Sequence, residues 1–325
     1  MLEDRNAAPA HRPELWNALC QVFAGMRTRF IAVEERGAFI GGAPIIVERR
    51  GGFHWIHALP FTLSGAPLAR EGAHHAVDAA VGEAIAALQL ELNAVGGEWA
   101  LYRPHGPSVD PGALEPASGE TRILETSILD LAEGVEAAWR RVDRDTRYEL
   151  RRARERGFRL REEPEVLEEV YALHLAQARR WPGHRPLPLE LSRRLLAPGS
   201  RAEPIARLFT VRDARGLLCA MFFLDHRREA FGWWSGTRGG LRAQHAMPFL
   251  LWSVAQWASD AGRARLNLGG SAGRATLAAF KQALGARVHR YPVRWLDAAG
   301  GPWSARLLAA LQRRVRRRRF RGEPA

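Results

Sequence analysis

The stretch "LNLGGSAGRATLAAFKQALGA", residues 266–286, gathers the residue types with the clearest chemical meaning. Lys281 is the only lysine in the chain: of its 48 lysines and arginines, every other one is arginine. The heavy use of Ala, Arg and Gly points to a GC-rich coding sequence, which favours arginine codons. A lysine that survives such a bias is either an accident on a solvated face or a place that needs a compact ammonium able to shift its pKa. Upstream, Gly269, Gly270 and Ser271 lie between the apolar strand pattern "RLNL" and a helical pattern. Free backbone N–H groups at such a helix start favour phosphate or carboxylate. A plain tight turn, with Ser271 or Thr276 as cap, explains the same letters. On the helix, Leu277, Phe280 and Leu284 form an i, i+3, i+7 core stripe that Lys281 flanks. The expectation is a lysine stem laid along the core and an ammonium lifted into a groove mouth. There it pairs with a donor phosphate or stabilises transition-state charge.

Two further groups carry potential chemistry. In "FGWWSGT" (231–237), Trp233 and Trp234 point to opposite faces of a strand, so one is core and the other is free to wall a groove. Arg144, Arg147, Arg151 and Arg154 form a row along one helix. Asp143, Asp145, Glu149 and Glu155 partly neutralise that helix, which makes an ion-paired solvated face one reading. The other is a clamp for phosphate groups, of a small ligand or of a nucleic-acid backbone. There is no HExxH, CxxC or clustered histidine pattern, so no metal is expected. Cys20 and Cys219 lie far apart in apolar segments and read as buried free thiols.

The elements that position these residues occur twice. "RFIAVEERGAFIGGAPIIVERRGGFHWI" (29–56) and "RLFTVRDARGLLCAMFFLDHRREAFGWW" (207–234) each read as three strands joined by polar turns, a β-meander. Each meander is followed by a long helix, roughly 73–95 and 246–262, and then by a short strand, "EWALYRP" and "ARLNLGG". Two copies argue for duplicated domains. The boundary is expected near 125–135, after the Pro/Gly-rich "RPHGPSVDPGALEPASGE". That gives domains over 1–130 and 131–305, with a helical insert at 132–197 and an arginine-rich tail at 306–325. Within the insert, "EGVEAAWRRVDRDTRYELRRARERG" reads as one amphipathic helix ending at Gly157, and "EEVYALHLAQARRW" as a second.

A hydrophobic content of 46% over 325 residues fits a soluble globular protein with real cores. No apolar run reaches membrane-spanning length, and the start "MLEDRNAAPAHRPELW" lacks the apolar core of a signal peptide, so a cytoplasmic protein is expected. The net charge of +13 is uneven. Residues 306–325 hold eight arginines and one glutamate, which is +7, leaving +6 for the rest. Such a block is a candidate contact for RNA phosphate or for an anionic inner membrane face, and equally a solubilising end.

The tandem meander–helix–strand units, the basic segment "TRYELRRARERGFRL" and the strand–glycine loop–"FKQALGA" sequence together resemble the FemA/FemB/FemX transferases and their BioF2-like (CelD-type) relatives in the GNAT superfamily. The resemblance covers about residues 15–296. It implies an α/β (α+β) fold of two tandem GNAT-like domains, each a mixed sheet built on an antiparallel meander and flanked by helices. It implies transfer of an acyl group to an amine, with no tightly bound cofactor, and favours Arg147 and Arg151 as a clamp for a phosphorylated acceptor or the tRNA backbone. Fem-type members take the group from aminoacyl-tRNA; BioF2-like members use acyl-CoA. The acceptor is a small molecule, peptide or cell-envelope precursor bearing an amine. In such folds two adjacent strands splay and hold the acyl carbonyl. Here these are "FGWWSGT" and "RLNLGG", which places Trp233, Trp234 and Asn267 at the acyl groove. The GNAT pyrophosphate loop, (Q/R)-x-x-G-x-(G/A), has a counterpart in "GTRGGLRAQHAMPF", where Gly239 and Gly240 stand at a different spacing. Aminoacyl-tRNA is therefore the expected donor, with acyl-CoA as the alternative. A noncatalytic RNA- or membrane-binding protein on a transferase scaffold is the rival from another class.

Overall fold

A computed structural model describes residues 4–58, 61, 63, 65–105, 112, 115–181, 184–197 and 204–298. The arginine-rich tail lies outside the described residues. The chain divides into two compact units. One takes residues 1–124 and a returning stretch from 290, and the other takes residues 125–289.

The first unit opens with α1 (Pro13–Val22), which has proline at its first helical position, where the missing N–H costs nothing. Strands β1 (Met26–Glu35), β2 (Ala38–Arg50) and β3 (Phe53–His57) form an antiparallel meander. The β1–β2 turn uses positive φ at both Arg36 and Gly37, a twist-matched two-residue hairpin. The short β4 (Leu68–Ala69) pairs with β2. Helix α2 (His74–Glu91) buries Val77, Val81, Ile85 and Leu88, a stripe at helical spacing, in a core with Ile45, Val47, Ile56 and Trp99. Strand β5 (Gly96–Ala100) then runs parallel to β3.

Strand β6 (Gly119–Asp130) crosses the division between the units in sequence. The second unit continues through α3 (Val135–Trp139), α4 (Arg144–Glu155), β7 (Arg159–Glu162), α5 (Leu167–Ala178) and α6 (Leu189–Leu196). The second meander is β8 (Ala206–Asp213), β9 (Gly216–Asp225) and β10 (Glu229–Thr237). Helix α7 (Ala246–Asp260), β11 (Arg265–Asn267) and α8 (Ala275–Ala283) follow. The strand order is β6-β11-β10-β9-β8-β7. The β10–β11 pair is parallel, while the β11–β6, β10–β9, β8–β9 and β7–β8 pairs are antiparallel. The core joins Phe209, Val211, Leu218 and Phe223 of the sheet to Leu150 and Ala153 of α4 and Leu250, Val254 and Ala258 of α7. The last strand, β12 (Arg287–Leu296), pairs antiparallel with β5 and so belongs mostly to the first unit.

The order meander–helix–parallel strand thus occurs in both units, in a mixed α/β fold. Several details differ from the sequence reading. The segment 119–130, read as part of a linker and boundary, is a twelve-residue strand. The stretch after residue 290 was assigned to the second domain, but it returns to pair with β5. The single helix expected up to Gly157 is two. Asp143 has extended backbone and its side chain accepts from Thr146 N, so it caps a new start at α4 and separates it from α3. Cys219 is buried and free, with its thiol pKa pushed up by burial, whereas Cys20 is only half-buried. No helix among the described residues is long and apolar enough to cross a membrane.

Candidate functional site

The site begins where two parallel strands part. β10 and β11 pair over Glu229–Arg265, Ala230–Leu266 and Phe231–Asn267 only. Beyond that point the chain after β11 stays with β6: Leu268 N donates to Ser127 O (2.8 Å) and Ser127 N to Gly269 O (3.1 Å). β10 runs on alone to Thr237, bending at an irregularity between Gly232 and Trp234. On its other side β10 remains paired with β9, and Arg238 N donates to Leu218 O. The alternation of an antiparallel ladder therefore bonds Gly236 and Trp234 to β9 and directs the N–H and C=O of Ser235 toward the edge that β11 has left. That edge is a ready position for an acyl carbonyl, with the Ser235 N–H as donor.

Facing this edge is the glycine loop. Gly269 has φ +72, Ala272 +49 and Gly273 +74. A side chain at Gly270 would place its Cβ 2.9 Å from the Glu125 carbonyl. Among the described residues, the N–H groups of Gly270, Ser271, Ala272 and Gly273 have no hydrogen-bond partner. Four successive donors in a turn leading into α8 form a concavity suited to an anion.

Lys281 braces this loop from beneath. Its Nζ donates to Gly269 O (2.8 Å) and Gly270 O (2.9 Å). It is the one buried residue of α8, whereas Leu277 and Phe280, the expected core stripe, are only half-buried. The ammonium is therefore not raised into a groove mouth. An interior lysine needs its donors satisfied, and two carbonyls turned inward by positive-φ glycine geometry supply the partners. Burial, with the Arg274 charge second, brings its pKa down to about 8 against an upward pull from Glu125.

A buried polar network holds the base of the loop. Asn267 is fully buried; its Oδ1 accepts from Gly269 N (2.9 Å) and Thr126 Oγ1 (2.6 Å), and its Nδ2 donates to Glu229 Oε1 (3.2 Å). Glu229 also binds Arg265 in a buried ion pair. Asn267 therefore sets the loop's position and has no free group for an acyl chain. Ser271 is buried at the loop's end, and its carbonyl accepts from Arg274 N (3.0 Å).

Trp234 is buried beneath the vacated edge, stacked on Phe222 at 5.0–5.1 Å from both that ring and His174. Trp233 is half-buried, with its ring 6.2 Å from Phe222. Arg147 is not a free clamp: its guanidinium donates to Trp139 O and Arg140 O and lies 5.2 Å from the Trp139 ring, closing the α3–α4 turn. Arg151 is exposed, and no contact joins it to the glycine loop among the described residues. In the loop after β10, Arg238 pairs with Glu169 and Arg242 with Asp213, while Arg156 binds the Leu241 and Gln244 carbonyls.

The sequence reading placed the helix α5 but assigned none of its residues to the site. Its Tyr171 and His174 lie one turn apart beside β10, with Trp181 and His184 just beyond the helix. The close packing depends on Gly236, where a Cβ would sit 2.9 Å from Val170 O and His174 N. Tyr171 and His174 stand at helical spacing on a helix otherwise rich in Leu, Ala and Glu, a pattern that by itself reads as packing. Among the described residues, no group of three or more His, Cys, Asp or Glu side chains is placed to hold a metal ion.

Solved structures with a similar fold include FemX, with TM-score 0.65 and 12% identity, covering 90% of this chain and 93% of that one. A conserved protein of unknown function from Bacteroides thetaiotaomicron gives 0.58 at 10% identity, covering 91% and 93%. The C-terminal domain of a protein assigned as a lysylphosphatidylglycerol synthetase from Agrobacterium fabrum gives 0.56 at 14%, covering 93% and 92%. At these identities the likeness is one of fold. No curated protein matches the sequence. Residues 140–282, which include the parted strands, the glycine loop and Lys281, match the family model of the acetyltransferase (GNAT) domain.

Proposed function

We propose that the protein transfers an aminoacyl group from aminoacyl-tRNA to a primary amine on a small molecule, peptide or cell-envelope precursor. The observation that carries this reading is the vacated edge of β10, with Ser235 directed into it, opposite four unpartnered N–H groups in the glycine loop. The edge polarises the acyl carbonyl, and the loop receives negative charge on the donor. The uncharged amine attacks the carbonyl carbon, the C–O ester bond breaks, the amine's proton passes to the leaving oxygen, and an amide forms. Lys281 and Asn267 act as positioning residues that keep the loop's donors in place.

The choice of donor rests on the loop after β10. Its arginines are engaged with Glu169 and Asp213, and Pro248 removes one N–H from the first turn of α7. The arginine side chains of this loop are thus occupied, which leaves its backbone N–H groups alone to meet a pyrophosphate. The second reading, transfer from acyl-CoA with cleavage of a C–S bond, is favoured by the acetyltransferase family match.

The test is direct. Purified protein is incubated with alanyl-tRNA or acetyl-CoA and with n-butylamine, glucosamine or a lysine-containing pentapeptide, and products are read by mass spectrometry. Alanyl amide with the first donor supports the proposal, and acetyl amide alone moves it to the second reading. No amide with either donor removes the transferase reading.

A further inference from the structure

His174 is 3% exposed, and its Nδ1 lies 2.8 Å from the carbonyl oxygen of Ser235. A carbonyl only accepts, so Nδ1 carries the proton and Nε2 holds a lone pair. Nε2 has no hydrogen-bond partner among the described residues. Ser235 O points to the edge that β11 has left, so the imidazole reaches that same edge from α5. Its surroundings are aromatic: Trp234 at 5.0 Å, His184 at 5.6 Å and Tyr171 at 6.1 Å between ring centroids. Arg274, at the end of the glycine loop, lies 5.4 Å over Trp181, whose ring packs on His184. The glycine loop and the His174 cluster are thereby linked within the second unit through Arg274, Trp181 and His184.

We infer that His174 is the general base of this site, taking a proton from the attacking amine through Nε2. This inference rests on the acyltransferase reading above. As the amine nitrogen bonds to the acyl carbon, its N–H proton moves to Nε2, and the bond from that carbon to the donor's oxygen or sulfur breaks. The imidazolium then returns the proton to the leaving oxygen or sulfur. The Ser235 carbonyl fixes the tautomer and stabilises the imidazolium, as an orienting acceptor should. Burial holds the imidazole below its ordinary pKa, with the Ser235 contact pulling the other way, so it is neutral and able to accept at pH 7. The other titratable and charged groups around it are already placed. Tyr171 donates to Leu187 O, Glu169 of α5 pairs with Arg238 at the end of β10, His184 packs edge-on to the imidazole, and Arg274 lies beyond it over Trp181. The aromatic enclosure suits a protonated or neutral primary amine.

The variants are His174→Asn, whose amide keeps a donor for Ser235 O but has no Nε2, and His174→Ala with added imidazole. Wild type should form amide with n-butylamine, losing rate as the pH falls through the depressed histidine pKa. His174→Asn should keep its melting temperature and its KM for the donor while kcat falls by about 100-fold or more, the usual range for a general base. The inflection due to histidine should vanish, leaving only the dependence set by protonation of the amine itself, and imidazole should restore rate to His174→Ala. Nitrogen-15 spectra of histidine-labelled wild type should show Nδ1–H with an unprotonated Nε2 whose resonance moves on adding n-butylamine. Full kcat with an unchanged pH profile in His174→Asn overturns the role of His174 and leaves the transferase reading standing. No transfer by wild type with either donor overturns both. An Nε2–H tautomer overturns the assignment irrespective of activity.

Discussion

Lys281 and Gly269 are joined by a 2.8 Å hydrogen bond from Nζ to the backbone carbonyl, across twelve residues of chain and one turn of the glycine loop. With the second bond to Gly270, it makes the lysine a strut rather than a surface charge. An arginine's planar fork needs a wider cavity and different donor directions, so a chain that otherwise writes arginine has a physical reason to keep a lysine here.

Replacing this strut should cost both stability and activity. Lys281→Met leaves two inward carbonyls unpaired, at about 1–3 kcal/mol each for a buried polar group. Lys281→Arg overpacks the same space, at about 1–3 kcal/mol. Both variants should melt several degrees lower and lose amide formation by on the order of a hundredfold, comparable to losing one oxyanion donor. Thermal melts and initial rates on the same samples test this. A fully active, fully stable Lys281→Arg makes the lysine an accident of codon usage.

The pH dependence of stability follows from the same residue. The folded-state pKa of Lys281 is lowered to about 8 from 10.5. Between those values the unfolded chain binds more proton than the folded one, so stability gains as pH rises from about 8 toward 10.5. Below pH 8 the cost of the buried charge is fully present. Urea midpoints of wild type and Lys281→Met, measured at pH 7 and pH 9.5, should differ in their pH trend, with wild type gaining more on the basic side. Parallel trends would show that the ammonium is not penalised by its surroundings.

The arginine-rich tail carries a prediction of its own. Residues 313–325 hold seven of the arginines counted in 306–325. Their removal should weaken binding to tRNA or to anionic liposomes and flatten the dependence of log affinity on log salt, through lost counterion release. The fold should be unaffected, since few apolar residues are removed. Unchanged binding and slope for both partners would show an inert tail.

What the sequence disclosed, and what it hid, divides by the range of the interactions involved. The two meanders, α2, α7 and the turn before α8 are legible because alternation, helical spacing and glycine act within a few residues. The parallel partners β5 and β11 were placed because they follow their helices at the expected distance. β6 was not, because its apolar residues follow a Pro/Gly-rich stretch and its pairing partner β11 lies more than a hundred residues away. Lys281 was singled out by composition, yet its burial depends on where Gly269 and Gly270 turn their carbonyls, which no local pattern encodes. His174 was invisible as a site residue for the same reason: its significance comes from a strand that ends early at Asn267 and from the carbonyl of Ser235 that this leaves exposed.

Arg147 and Arg151 separate a structural cation from a solvated one on a single helix face. Arg147 Nη2 donates to the Trp139 and Arg140 carbonyls at 2.9 and 3.2 Å, so it closes the junction that Asp143 opens between α3 and α4. Arg147→Ala should lower stability by about 1–3 kcal/mol through orphaned carbonyls and lost packing on Trp139. Its kcat with n-butylamine should stay within a few-fold of wild type. Arg151 stands exposed, one turn further on, and Arg151→Ala should leave the urea midpoint within about 0.5 kcal/mol of wild type. If α4 contacts the phosphate backbone of a tRNA donor, the same variant should weaken tRNA binding and reduce its salt slope by about one unit. The two urea curves and one salt titration decide the matter. Equal destabilisation by both variants would mean that the helix face is a single ion-paired surface, and an unaltered salt slope would remove α4 from the donor site.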